Sequence, residues 1–447
     1  MDTLENRIQK RVHVSLYALL FLTILLGLSV LLEGCTDKCE MRNQYVYFEP
    51  VYTTLSEIRS GVRATNSKPI EAIGKIYFKD NYLFINEPGE GIHIIDDADK
   101  ENPVKKAFIE IPGNYDLAIK GNILYADSYI DLVAIDISDL NSVREINRVQ
   151  GIFSTYNSLG FYADEVNGVV TEWKEKEVSI EAEDCNLQIQ PWGGIYYDRG
   201  VALPMEAAYA FNTKTAIAPG IGSGSGLGGS LARFTISNNY LYMLDGGDVR
   251  VVDVTVESAP EPKDKFYVNW DIETIFPHGN NLFIGARSGM HILDISAPES
   301  PQHISTFQHV SSCDPVVVEG NYAYVTLRSG NPTCDGFDNQ LDILDISNLQ
   351  LPKLVESYAM KNPHGLGVDN NLLFVCDGDD GIKMFNIEDK LAIDDNLLAQ
   401  HKDIHAFDVI PFQNTLMLIG DDGIFQYDYT NLKDLKLLSH IRIENED

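Results

Sequence analysis

One unit recurs seven times along the chain: an apolar strand, a tight turn containing Asn, an apolar strand, an acidic or glycine-rich turn, then an apolar strand ending in Asp. The turn asparagines are Asn81, Asn122, Asn239, Asn280, Asn321, Asn371 and Asn414, and the strand-ending residues are Asp96, Asp136, Asp253, Asp294, Asp345, Asn386 and Asp428. Most neighbouring copies are 41 to 43 residues apart. From turn Asn to strand end is 14 or 15 residues in six copies and 24 in the fifth, where Arg328 to Gln340 lengthens one loop. A unit of three or four short strands cannot bury both faces of its own sheet, so it must stack on copies of itself. Tight turns such as Asp80-Asn81 and Asn238-Asn239 make antiparallel pairs, which disfavours a parallel solenoid and leaves radial stacking. The expected fold is all-β: a seven-bladed β-propeller with four-stranded antiparallel blades.

The strand that ends in Asp reads Leu132-Val-Ala-Ile-Asp136, Val249-Arg-Val-Val-Asp253, His291-Ile-Leu-Asp294 and Leu341-Asp-Ile-Leu-Asp345. In these stretches the chain resembles the LVIVD-repeat family of bacterial envelope proteins, over residues 74 to 443 apart from one insert. The resemblance implies a propeller located in the cell envelope. It supplies no catalytic residue, because the repeat motif is architectural, and the Asp residues themselves suit Asx turns.

Residues 1–34 read as a lipoprotein signal peptide. Arg7, Lys10 and Arg11 precede an apolar run from Val14 to Leu32, and Leu32-Glu33-Gly34-Cys35 looks like a lipobox whose Cys35 takes the lipid. Glu33 departs from the usual small or apolar residue, so an uncleaved signal anchor is the alternative. Either way the remainder sits outside the cytoplasm, and on the lipobox reading it is lipid-anchored to a membrane of the cell envelope. Residues 35–73 form a tether, with strand-like pieces around Tyr45-Val-Tyr-Phe and Pro69-Ile-Glu-Ala-Ile that could complete the last blade and close the ring. The propeller occupies 74–443, and residues 151–228 are an insert, since Asp136 and Asp253 are 117 residues apart. Within it, Val169 to Ile180 reads as a hairpin and Gly222 to Gly229 as a flexible loop; a degenerate eighth blade is the alternative. Replacing the insert with a short linker should spare folding and impair partner capture.

The formal charge of -32 excludes a general nucleic-acid binder, because no basic stripe offsets repulsion from phosphate. It is compatible with divalent cations, sugars or a basic protein. With strands lettered a to d from the axis outwards, the Asn turns joining a to b are nearly uniform. The b-to-c loops and d-to-a crossings vary and hold both irregularities of the frame, the insert and the long fifth-copy loop, so a ligand is expected on that face.

On the same face Cys313 and Cys334 are expected to form a disulfide, while Cys39, Cys185 and Cys376 stay unassigned. His364, His405 and Asp408, with Asp314 at the comparable place in the fifth copy, are the candidate ligand or metal group at the axial mouth. The acidic turns Asp377-Gly-Asp-Asp-Gly and Gly420-Asp-Asp-Gly invite Ca²⁺, although Asp-Gly is equally a hairpin sequence and no cofactor is predicted. The expected function is a non-catalytic binding or scaffolding lipoprotein with an envelope protein or a carbohydrate as partner. The alternatives are a metal-assisted hydrolase or lyase with its site at the axial mouth, and a structural assembly subunit.

Overall fold

The computed structural model describes residues 41–140, 142–154, 163, 166–182, 195–196, 202–203, 227–228, 230–309, 315–329, 339–390, 392–393 and 395–444. Seven antiparallel sheets follow one another as blades over residues 76–110, 117–149, 234–267, 272–308, 316–359, 366–401 and 408–442. Each has the strand order expected of a four-stranded blade, although the outer strand of the third is split into Glu261–Pro262 and Phe266–Tyr267. Apolar side chains of neighbouring blades interleave, so the core is a series of clusters, each shared by two sheets, rather than one central mass.

The Asn turns do the work the spacing implied. The first turn residue has positive φ in every blade (Asp80, Gly121, Asn238, Gly279, Gly320, Asn370 and Gln413), and Asn239, Asn371 and Asn414 follow in the same region. In all seven blades the carbonyl of the turn Asn accepts the amide just beyond strand c, from Asp97.N–Asn81.O at 2.7 Å to Tyr429.N–Asn414.O at 2.9 Å. The residue ending strand c then accepts the amide two positions on, as in Asp294 Oδ1 to the Ser296 amide at 2.7 Å and Asn386 Oδ1 to the Glu388 amide at 2.8 Å. The same Asx turn closes strand c of the other five blades.

Three expectations about the irregular segments need correction. The last blade is completed by its own Lys436–Arg442, not by an N-terminal strand; Arg63–Asn66 instead pairs with Val104–Glu110 on the outer edge of the first blade. The Pro69 piece does reach the closure, but as packing: Ile70 and Ile73 are buried between the first and last blades, and Ile70 O accepts the Glu444 amide at 2.7 Å. Val169–Ala182 is one strand rather than a hairpin, paired with Met41–Thr53. No Gly, Asn or Pro interrupts it to reverse the chain.

The insert is also less separable than expected. Ile152 and Phe153 belong to the core between the second and third blades, Val169 packs on Leu55 and Ile58, and Leu227–Gly228 pairs with Phe78 and Tyr77 of the first blade. Among the described residues the ring has seven blades.

The chain divides into two compact units, Met1–Glu49 with Trp173–Ala208, and Pro50–Glu172 with Tyr209–Asp447. In the smaller, Lys176 pairs with Glu49, and Ile195–Tyr196 pairs with Ala202–Leu203. All the blades belong to the larger.

Candidate functional site

The innermost strands begin at the axis, and in several blades a polar residue stands at or just before that start: Lys75, Asp116, Arg233, Asp271 and Asp408. Four consecutive residues, Ser230 to Arg233, cross the space between them. The Ser230 amide and hydroxyl donate to Asp408 Oδ1, both at 3.1 Å, and the hydroxyl accepts the Leu366 amide at 2.9 Å. Lys75 Nζ donates to Leu231 O at 2.7 Å, the Ile275 amide to Ala232 O at 2.8 Å, and the Arg233 amide to Asp116 Oδ2 at 2.9 Å. Arg233 also exchanges bonds with Leu244 of its own blade. This short segment therefore acts as a hub, bonded to blades one, two, three, four, six and seven.

Burial dominates the electrostatics of the hub. It pushes Asp408 up to about 7 and Lys75 down to about 8, the latter against the pull of Asp116. Asp116 is also raised, and Asp127, which accepts the amides of Asp116 and Tyr115, is raised to about 6. Asp408 is 0 % exposed, and its Oδ2 has no partner among the described residues. Gly365 is the residue that permits this packing, because a Cβ there would lie 2.0 Å from Asp408 Oδ1.

Of the predicted site residues, His364, Asp408 and His405 are described, and they fall in different surroundings. His364 is fixed beside the hub: its Nε2 accepts from Asn362 Nδ2 at 3.2 Å, its ring packs on Phe407, and desolvation with the nearby Arg328 guanidinium pushes it down to about 3. It is thus a neutral imidazole at physiological pH. The Cys376 thiol is free and buried, and desolvation raises it well above the ordinary range, which makes it inert. No hydrogen bond or ion pair links the side chains of His364, His405 and Asp408. Asp314, Cys35, Cys39, Cys185, Cys313 and Cys334 lie outside the described residues.

His405 faces elsewhere. It lines a cleft of about 250 Å³ with Asp403, Ile404, Asp421, Asp422, Phe425 and Tyr427, between the crossing into the seventh blade and that blade's b-to-c turn. Phe425 is stacked between His440 and Tyr427, at centroid distances of 3.9 and 6.4 Å. The other acidic turn is committed internally: Asp377 Oδ1 accepts the Lys361 and Asn362 amides at 2.8 Å each, and Oδ2 pairs with Lys383. Among the described residues, no three His, Cys, Asp or Glu side chains are grouped so as to hold a metal ion.

The sequence singled out Asp408 and His405, which stand at the hub and in the cleft, but not Lys75, Asp116, Asp127 or Ser230. Their signal was positional: aligning the seven copies puts a polar residue at the start of several inner strands, where an apolar one would be expected at the centre of a ring.

A family profile described as LVIVD repeat matches residues 114–150, 228–266, 274–308 and 312–360. The chain is a seven-bladed propeller that carries LVIVD repeats in four segments. The four matches fall on the second to fifth blades, and the remaining three blades of the LVIVD propeller repeat the same turn chemistry. Similar solved structures include the computationally designed protein Ika8, 11% identical with TM-score 0.48 over 86% of this chain and 93% of that one. BamB from Moraxella catarrhalis is 7% identical with TM-score 0.46, over 82% and 96% of the two chains. The periplasmic gluconolactonase PpgL from Pseudomonas aeruginosa is 10% identical with TM-score 0.48, over 83% and 97%. Likenesses this distant carry no functional argument. No match was found among curated proteins.

Proposed function

We propose that this LVIVD propeller is a lipid-anchored cell-envelope module that binds, without chemistry, a partner presenting a positively charged group to the variable face. The observation that carries the reading is the cleft at His405. Among the described residues, the side chains of Asp403, Asp421, Asp422 and His405 have no hydrogen-bond or ion-pair partner, whereas Asp377, Asp380 and Asp131 are each matched by lysine or arginine. Uncompensated carboxylates beside aromatic rings suit an extended organic cation, attracted by charge and by the ring faces. The acids line the walls rather than converge on a point, which suits a lysine or arginine side chain better than a bare ion. Against a hydrolase or lyase at the axial mouth, His364 is held neutral by its surroundings and the Asp408 Oδ1 is occupied by Ser230.

Titration calorimetry of the full chain with a lysine-rich peptide tests the reading. Binding should weaken at least about tenfold in an Asp421→Asn/Asp422→Asn variant and fall with salt; equal affinity in the variant would sink it. The anchor is tested separately: Cys35→Ala should abolish labelled fatty-acid incorporation and leave full-length precursor.

A further inference from the structure

The axial hub is fastened by ionisable side chains where apolar ones would close the channel at lower cost. Asp408 is 0 % exposed, and Lys75 and Asp116 are each 4 % exposed. We infer that the hub is a proton-operated latch: a proton on Asp408 holds residues 230–233 against the seventh blade, and loss of that proton releases them.

The geometry of the carboxyl carries the inference. Both bonds from Ser230 fall on Oδ1, leaving Oδ2 buried with no partner among the described residues. The Val409 amide also favours the charged form, but in the ionised state Oδ2 itself has no donor among the described residues. A proton on Oδ2 removes the charge and leaves Oδ1 as the carbonyl that accepts from Ser230. The carboxyl cannot turn to find a donor, because the Gly365 backbone packs directly on it and Leu366 is tied to the same serine.

Beside the hub, His364 is lowered to about 3 and takes up no proton near neutral pH, and Asp271 Oδ2 accepts the Ser288 amide of its own blade. Burial raises Asp408 to about 7, and it raises Asp127 to about 6 and Asp116 in the same direction. Lys75 is lowered to about 8 and so changes its proton content little below that pH. Arg233 donates to Leu244 O of its own blade, Asp377 is paired with Lys383, and the Cys376 thiol is pushed away from ionisation. Once released into water, Asp408 returns to its ordinary 3.8. The docked state therefore binds the proton more tightly than the released one. Docking is complete at mildly acidic pH and is lost as pH rises through about 7.

The consequence reaches the insert, since Leu227–Gly228 pairs with the first blade immediately before the hub. Release would loosen the root of residues 151–228 while the blades keep their own ladders. This inference does not depend on the cationic ligand proposed above.

Hydrogen exchange of the full chain, corrected for the intrinsic pH dependence of amide exchange, tests it between pH 5 and pH 8. The peptide containing Ser230 to Arg233 should lose protection by more than about tenfold over that range, as a shift of this size requires, while peptides from inner strands such as Leu372–Cys376 hold constant. Asp408→Asn should flatten the response of the hub peptide, and Lys75→Met should move its midpoint upwards by removing the cation that favours ionised Asp408. A wild-type profile without pH dependence, or one that parallels the reference strands, overturns the latch irrespective of how well either variant folds.

Discussion

Asp408 Oδ1 accepts the amide and the hydroxyl of Ser230, each at 3.1 Å, across 178 residues of chain. The same hydroxyl takes the Leu366 amide, so one serine ties the sixth blade, the seventh blade and the hub together. Ser230→Ala removes both side-chain bonds and leaves the Leu366 amide unsatisfied in a buried place. The expected loss is about 1–3 kcal/mol, the range for stranding a buried polar group. Urea unfolding should show it as a lower midpoint with an unchanged slope; an unshifted midpoint would mean that the hub adds nothing to the closure of the ring.

Inter-blade hydroxyls give a paired prediction. Tyr125 is fully buried and donates to Glu257 O of the next blade at 2.7 Å, whereas Tyr324, equally buried on the same strand of the fifth blade, has no partner for its hydroxyl among the described residues. Tyr125→Phe should cost about 0.5–1.5 kcal/mol, the net value of one such bond. Tyr324→Phe should be neutral or stabilising. Thermal melts of the two variants should diverge in this order, and the reverse order would contradict the assignment of the bonds.

The Asx turns can be probed with the chain's own variant. Bonds from the Ser347 side chain and amide hold the Asp345 carboxyl below its ordinary value, yet the sixth blade makes the equivalent turn with Asn386. A lowered carboxylate pKa contributes stability that is present above the unfolded value and disappears as pH falls through the folded one. Asp345→Asn should therefore match the parent at pH 7 and show less loss in the acid range below about pH 4, the ordinary carboxylate value. Asp345→Ala should be the less stable of the two at pH 7. Equal melting of the two variants would show that the turn does not need its acceptor.

The contrast between turns and hub explains what was legible in the sequence. Blade number, strand order and the role of Asp96, Asp136 and their counterparts are local matters, set by turn chemistry within 14 or 15 residues of an Asn. The hub is the opposite case. Lys75 meets Leu231 O across 156 residues, and nothing near either residue announces the other. Gly222 to Gly229 reads as loop by composition, although Leu227–Gly228 adds a strand to the first blade, because glycine content describes backbone freedom and not the partner that removes it. His405 was legible as a polar residue on the variable face, but its separation from His364 depends on which side of the crossing each ring leaves the backbone.

Two of the predicted site residues titrate in opposite senses, which yields the last prediction. His364 is lowered to about 3 from its ordinary 6.5, mainly by desolvation, so the unfolded state takes up a proton that the native state refuses as pH falls below 6.5. Its share of stability is present above that pH and is lost on acidification. Asp408 is raised to about 7 from 3.8, so its share is present at low pH and is lost as pH rises towards 7. Between about pH 4 and pH 6.5 each contributes up to about 1.4 kcal/mol per pH unit with opposite sign, and the two nearly cancel. His364→Gln should therefore gain stability relative to the parent as pH is lowered across this window, and Asp408→Asn should gain relative to the parent as pH is raised. Denaturant midpoints measured for the three proteins at intervals of half a pH unit would show one divergence opening in each direction. Parallel curves would mean that neither residue titrates out of its ordinary range, and divergence of one variant alone would leave the compensation between them without support.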